Sequence, residues 1–152
     1  MGERRRVLAI ASGGGHWVQL QRLRPAFEDC DVAYVSVHAD YGQDVPGARF
    51  YHVTNITRMN LAKLLVLGPQ LLGILLRERP HVVITTGSLP GLIAIALAKR
   101  LFGIRTIWID SIANCERMSS SGKRARSFAD QWLTQWPDLA AADGPEYWGA
   151  VL

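Results

Sequence analysis

Short runs of Val, Ile, Leu and Trp recur along this chain with helix-like stretches between them, and this alternation constrains the fold more than any other feature. Strands are expected at Arg6–Ala11, Val32–Val37, Arg49–Val53, Val82–Thr86, Thr106–Asp110 and Gln131–Thr134. Helices are expected at His16–Glu28, Leu61–Arg79 and Pro90–Phe102, the last with Pro90 at its start and Gly103 just beyond its end. Several strand runs are rich in Val and Ile without polar alternation, which suits strands covered on both faces. The pattern predicts an α/β, Rossmann-like, mostly parallel sheet of about six strands with helices on both faces. At 152 residues the chain can bury one sizeable core, so a single domain over residues 1–152 is expected, with no room for two large lobes.

The net charge of +4 comes from basic residues scattered along the chain, from Arg4-Arg5-Arg6 to Lys123/Arg124/Arg126. That scatter argues against a nucleic-acid stripe, while an anionic membrane surface or a phosphate-bearing substrate stays compatible with it. Cys30 and Cys115 are far apart with no accompanying Cys or His cluster, so neither a metal site nor a disulfide framework is expected. A reducing cytoplasm is the simplest setting. The longest uncharged apolar run, Leu64 to Leu76, is 13 residues and contains Gly68-Pro69. A spanning helix needs about 20 residues, so no transmembrane helix is expected.

The helix carrying that run is unusual. Lys63, Gln70 and Arg77, seven residues apart, make a thin polar stripe on an otherwise apolar surface. Such a helix covers the core, presents a face to lipid or a partner, or does both on different sides. Pro69 is expected to kink it.

Three segments that follow strands carry the chemistry, at the carboxyl edge where open α/β sheets bind ligands. In Ser12-Gly13-Gly14-Gly15-His16 the glycines allow close backbone approach, and the next helix offers free N–H groups to an anion. Val18 occupies the last glycine position of a dinucleotide fingerprint, and no acidic residue ends the second strand, so a nicotinamide-dependent oxidoreductase is disfavoured. His16 is either a general base or a helix-start residue satisfied by a loop carbonyl. Thr86-Gly87-Ser88-Leu89-Pro90-Gly91 repeats the arrangement and is either a second ligand loop or a plain tight turn. In the third segment, Asp110 to Arg124, Arg117 and Arg124 break the Walker A pattern. There Asp110 could orient His16 or accept a proton, and Ser119, Ser120, Ser121 and Lys123 could bind hydroxyls and phosphates; capping and solvated loop are the alternatives.

Taken together, Ser12-Gly-Gly-Gly-His16, Asp110-Ser111, Ser119-Ser-Ser-Gly122-Lys123, Phe128-Ala129-Asp130, Gln135-Trp136-Pro137 and Tyr147-Trp148-Gly149 resemble one enzyme group over most of the chain. It is the acceptor-side subunit of the split UDP-N-acetylglucosamine transferase of lipid-linked oligosaccharide synthesis, with its bacterial capsule and exopolysaccharide relatives. The arrangement also looks like the N-terminal half of the lipid-linked N-acetylglucosaminyltransferase of peptidoglycan synthesis.

The resemblance implies the N-terminal lobe of a GT-B glycosyltransferase, which binds a polyprenyl-diphosphate-linked acceptor and recruits a separate donor-binding subunit to the inner face of the cell membrane. Transfer from the UDP-sugar would invert the anomeric centre with no bound metal and no cofactor. The donor, held mainly by the partner, could be N-acetylglucosamine, glucuronic acid or galactose. Residue by residue, His16 and Asp110 would be catalytic. Gly13, Gly14, Gly15, Gly87, Ser88, Ser119, Ser121 and Lys123 would hold substrate. Asp110 stands where the family commonly has Glu, and Asn114 where many relatives carry Arg, which tilts the reading towards bacterial exopolysaccharide synthesis. No counterpart of the eukaryotic subunit's N-terminal membrane anchor is expected, so membrane contact would fall to Leu64, Leu65, Leu71, Leu72 and Leu75 and nearby basic side chains. A tether that only activates a catalytic partner is the alternative, and it would leave His16 dispensable.

Overall fold

The computed structural model describes residues 2–152. Seven strands form one sheet: β1 (Arg5–Ile10), β2 (Cys30–Ser36), β3 (Arg49–His52), β4 (Val82–Thr85), β5 (Arg105–Ile109), β6 (Gln131–Thr134) and β7 (Glu146–Tyr147). Four α-helices accompany them: α1 (Gly15–Arg22), α2 (Leu64–Glu78), α3 (Leu89–Phe102) and α4 (Ser120–Ala125). The spatial order is β3-β2-β1-β4-β5-β6-β7. Every neighbouring pair is parallel.

Period-two alternation divides the core between the two faces. Leu8 and Ile10 of β1 point into the layer with Leu67, Leu71, Ile95 and Trp108, beneath α2 and α3. Val7, Ala9 and Ala11 point the other way, into the layer with Trp17 and Leu20 of α1. The Rossmann-like fold with helices on both faces is therefore the one the sequence pattern predicted, and all strand carboxyl ends share one edge. The chain runs outward from β1 to β3 and then crosses to β4, so the strand order reverses between β1 and β4. Open sheets leave a crevice at that reversal.

Four expectations need correction. The sheet has seven strands rather than six, because the two-residue β7 has no apolar run to announce it. The first helix ends at Arg22, and a separate 3-10 turn, Arg24–Phe27, carries Pro25, which has no N–H to continue an α-helix. The second helix does not begin at Leu61: a 3-10 segment, Arg58–Lys63, precedes α2 and is broken at Asn60 (φ −127°, ψ 45°), while α2 continues as one helix through Pro69. Finally, Arg58–Glu78 is 21 residues and holds an 18-residue window of mean hydropathy 1.6, long and apolar enough by those two measures to cross a membrane, contrary to the count made on the uncharged run alone. Leu67, Leu71, Ile74 and Leu75 nevertheless pack into the core, so one side of α2 belongs to the sheet.

Candidate functional site

The segments after β1, β4 and β5 meet at the carboxyl edge, next to the reversal point. They surround an open cavity of about 320 Å³ to which His16, Ser88, Ser111, Asn114, Ser120 and Ser121 contribute. Arg58, from the 3-10 segment before α2, lines it as well.

His16 is held by a reciprocal pair of bonds to the β4 loop. Its Nδ1 donates to the Thr86 carbonyl at 3.0 Å, and the Thr86 hydroxyl donates to the His16 carbonyl at 2.6 Å. A carbonyl can only accept, so Nδ1 carries a proton, and in the neutral ring Nε2 keeps its lone pair. Gly87 makes this contact feasible: its φ is +128°, and a Cβ there would lie 2.8 Å from the imidazole. Ser88, one residue on, has φ 77° without being glycine, and its Oγ is buried with no partner. Strained backbone of this kind persists only where surrounding structure enforces it.

The three glycines after β1 divide into different tasks. Gly13 gives way to a neighbour, since a Cβ would sit 2.4 Å from His38 Nε2. Gly14 adopts φ +64°, and its N–H is taken by the Tyr41 hydroxyl at 3.1 Å. Gly15 opens α1 with an exposed backbone and no side chain crowding it. Tyr41 in turn stacks on Trp17, centroids 4.9 Å apart, and Trp17 Nε1 donates to Asp44 at 2.8 Å, so the loop rests on a rigid aromatic base.

Asp110 does not orient His16. It is 2% exposed, and its carboxylate accepts from Trp108 Nε1 (3.1 Å), Asn114 Nδ2 (3.1 Å), the Ser119 N–H (2.9 Å) and Ser119 Oγ (2.6 Å). Those donors use both oxygens to fold the 110–119 loop around a buried charge. Ser119 lines the cavity as well and is engaged as the N-cap of α4, accepting from Gly122 N at 2.8 Å. Lys123 is exposed on α4 and does not line the cavity. The cation at the cavity is Arg58, which sequence reasoning missed because nothing in a lone Arg before an apolar run announces a ligand.

Behind the cavity, Gln19 Nε2 donates to Ser111 Oγ at 3.2 Å, while Gln19 Oε1 accepts from Ile112 N at 3.2 Å and from Gln135 Nε2 at 2.6 Å. Gln135 Oε1 then accepts from Val151 N at 2.7 Å. These buried amides tie α1, the β5 loop, β6 and the C-terminal segment into one network.

The five leucines assigned to membrane contact separate. Leu64 and Leu65 are exposed, Leu65 by 82%, and Leu72 is half-buried. Leu71 and Leu75 are core residues, 0% and 2% exposed, because they lie on the side of α2 that faces the sheet. Met59, Leu61 and Val66 complete the exposed apolar patch instead. Gln70 leaves the polar stripe to accept from Thr54 N at 2.9 Å.

Comparison with known proteins gives a consistent picture. The profile of the family described as "Oligosaccharide biosynthesis protein Alg14 like" matches residues 44–151. The UDP-N-acetylglucosamine transferase subunit ALG14 of Eremothecium gossypii is 34% identical over 84 residues, 51% of this chain and 37% of that protein. Its counterpart from Cryptococcus neoformans is 32% identical over 82 residues, 49% of this chain and 36% of the relative. The matched stretch thus spans little more than a third of either relative. Among solved structures, MurG of Acinetobacter baumannii superposes with a TM-score of 0.76 over 94% of this chain and 45% of its own, at 14% identity. A UDP-N-acetylglucosamine 2-epimerase superposes at 0.71 over 95% of this chain and 48% of its own, at 10% identity. At such identities these two likenesses speak for the fold.

Proposed function

The chain belongs to the Alg14-like family of oligosaccharide biosynthesis proteins, and from that premise we propose that it is the acceptor-side subunit of a two-chain, UDP-sugar-dependent inverting glycosyltransferase. In this reading it binds a polyprenyl-diphosphate-linked sugar at the cytoplasmic face of the membrane and recruits a separate donor-binding chain, in exopolysaccharide, capsule or lipid-linked oligosaccharide synthesis. The observation that carries the proposal is His16, fixed by the Thr86 carbonyl as an Nδ1–H tautomer in a polar cavity at the β1/β4 reversal.

The chemistry follows from that tautomer. The acceptor hydroxyl attacks the anomeric carbon of the UDP-sugar while the bond to the UDP oxygen breaks, and the hydroxyl proton passes to His16 Nε2. As the imidazole becomes positive, the Thr86 carbonyl, already bonded to Nδ1–H, stabilises the cation. Asp110 assists by holding the 110–119 loop in shape and takes no proton itself. The exposed Met59, Leu61, Leu64, Leu65 and Val66 set the cavity beside the bilayer, with α2 lying on the membrane and its other face retained in the core.

The test is His16→Ala in the reconstituted pair of chains. The pair should assemble as the parent does and lose about 10²- to 10⁴-fold in turnover. Unchanged turnover would leave the chain a tether and activator, with the chemistry carried by its partner.

A further inference from the structure

A ligand with a diphosphate between a sugar and an apolar tail needs a cation placed between a polar cavity and an apolar surface. Among the described residues lining the cavity, Arg58 is the one that carries a fixed positive charge, and no carboxylate lines it. Arg58 is exposed and forms no ion pair or side-chain hydrogen bond with other described residues. The apolar patch begins on the very next residue: Met59 is 90% exposed and Leu61 57%, with Leu64, Leu65 and Val66 following. The backbone break at Asn60 separates the short turn bearing Arg58 from α2, so the cation is not bound to the helix's own geometry. Ser88, which also lines the cavity, has a buried hydroxyl with no hydrogen-bond partner among the described residues.

We propose that Arg58 grips the diphosphate of the lipid-linked acceptor in the cavity shared with His16 and Ser88. The assignment rests on the acceptor-lobe reading above and replaces Lys123 as the phosphate cation. A guanidinium suits the task because its planar fork donates two parallel hydrogen bonds to phosphate oxygens, which an ammonium cannot do. Its place beside the apolar patch would bring it to the head-group level when the patch enters a bilayer. Entry of the patch into the bilayer and capture of the head group thus occur on one segment of chain.

The test is calorimetric binding of a water-soluble, short-prenyl diphosphate N-acetylglucosamine and its monophosphate counterpart to the full chain. Arg58→Gln should weaken the diphosphate ligand about 10- to 100-fold and the monophosphate less. Arg58→Lys should recover part of the loss, and Lys123→Gln, away from the cavity, should bind as the parent does. Sedimentation with vesicles of phosphatidylcholine alone should be equal for the parent and Arg58→Gln. Parental diphosphate affinity in Arg58→Gln, or equal losses for the two ligands, would overturn the assignment. So would loss of vesicle binding in that variant, which would make Arg58 a membrane anchor instead. A parent chain that binds neither ligand would overturn the acceptor-lobe reading, and the Arg58 assignment with it.

Discussion

Gly87 leaves no room for a side chain beside the His16 ring, and this sets the first prediction. Gly87→Ala would put a Cβ into the imidazole and force a side chain to adopt φ +128°. The expected result is a loss of about 1–3 kcal/mol in a thermal or urea melt. Turnover should also fall, because His16 can no longer hold its bond to Thr86. A variant with parental turnover would show that the imidazole position does not matter. That these loops carry glycine and histidine at one sheet edge was legible in the sequence, but whether His16 is a base or a helix-start residue satisfied by a loop carbonyl was not, and its Nδ1 is indeed bonded to the Thr86 carbonyl. Their partners were not legible. Asp110, Ser119 and Lys123 looked alike as polar candidates, yet one folds a loop, one caps α4 and one faces solvent. Polarity in a sequence signals that a side chain needs a partner, without specifying whether that partner is ligand, backbone or water.

At the scale of elements, α2 buries one side in the core and exposes another that is apolar, and substitutions should separate the core role from the proposed membrane role. Leu71→Ala or Leu75→Ala removes a buried side chain and should cost about 2–5 kcal/mol of stability in a denaturant melt. Leu65→Asp should change stability by no more than about 0.5 kcal/mol, as exposed substitutions do, while sharply reducing sedimentation with vesicles. Undiminished sedimentation would remove the membrane role from this patch. The periodicity of an almost wholly apolar helix reveals the helix but not which side is buried, which is why Leu71 and Leu75 were read as lipid-facing.

The far end of α2 is pinned to the edge strand β3 by Glu78. Arg49 reaches it with Nε at 3.0 Å and Nη2 at 2.9 Å, and the Tyr51 hydroxyl adds a third donor. Burial alone would raise the Glu78 carboxyl, but hydrogen bonds from Arg49 and Tyr51 outweigh it and hold the group below its ordinary value of 4.5. A lowered carboxyl contributes stability that is fully present above that ordinary value and is lost as pH falls through the lowered one. Acid melts should show this loss, and Glu78→Gln should flatten it. An identical acid limb in the variant would contradict the assignment.

For the whole molecule, the alternation of apolar runs and helices was enough to give the parallel sheet and its two covered faces, since strands buried on both sides have few other solutions. β7 escaped because a two-residue edge strand is defined by its pairing with Leu133 and Thr134 rather than by its own composition. The site is likewise a product of topology: three loops distant in sequence meet because β1, β4 and β5 are neighbours in one parallel sheet. The resulting domain carries a cavity, a histidine bonded through Nδ1 to the Thr86 carbonyl and an exposed apolar flank, and the proposed division of labour leaves the donor to another chain. The most direct measurement is transfer of radiolabelled sugar from UDP-N-acetylglucosamine, UDP-glucuronic acid and UDP-galactose to a prenyl-diphosphate-linked acceptor, by this chain alone and together with its donor-binding partner. The account predicts transfer only by the pair, with one donor preferred; transfer by this chain alone would contradict it.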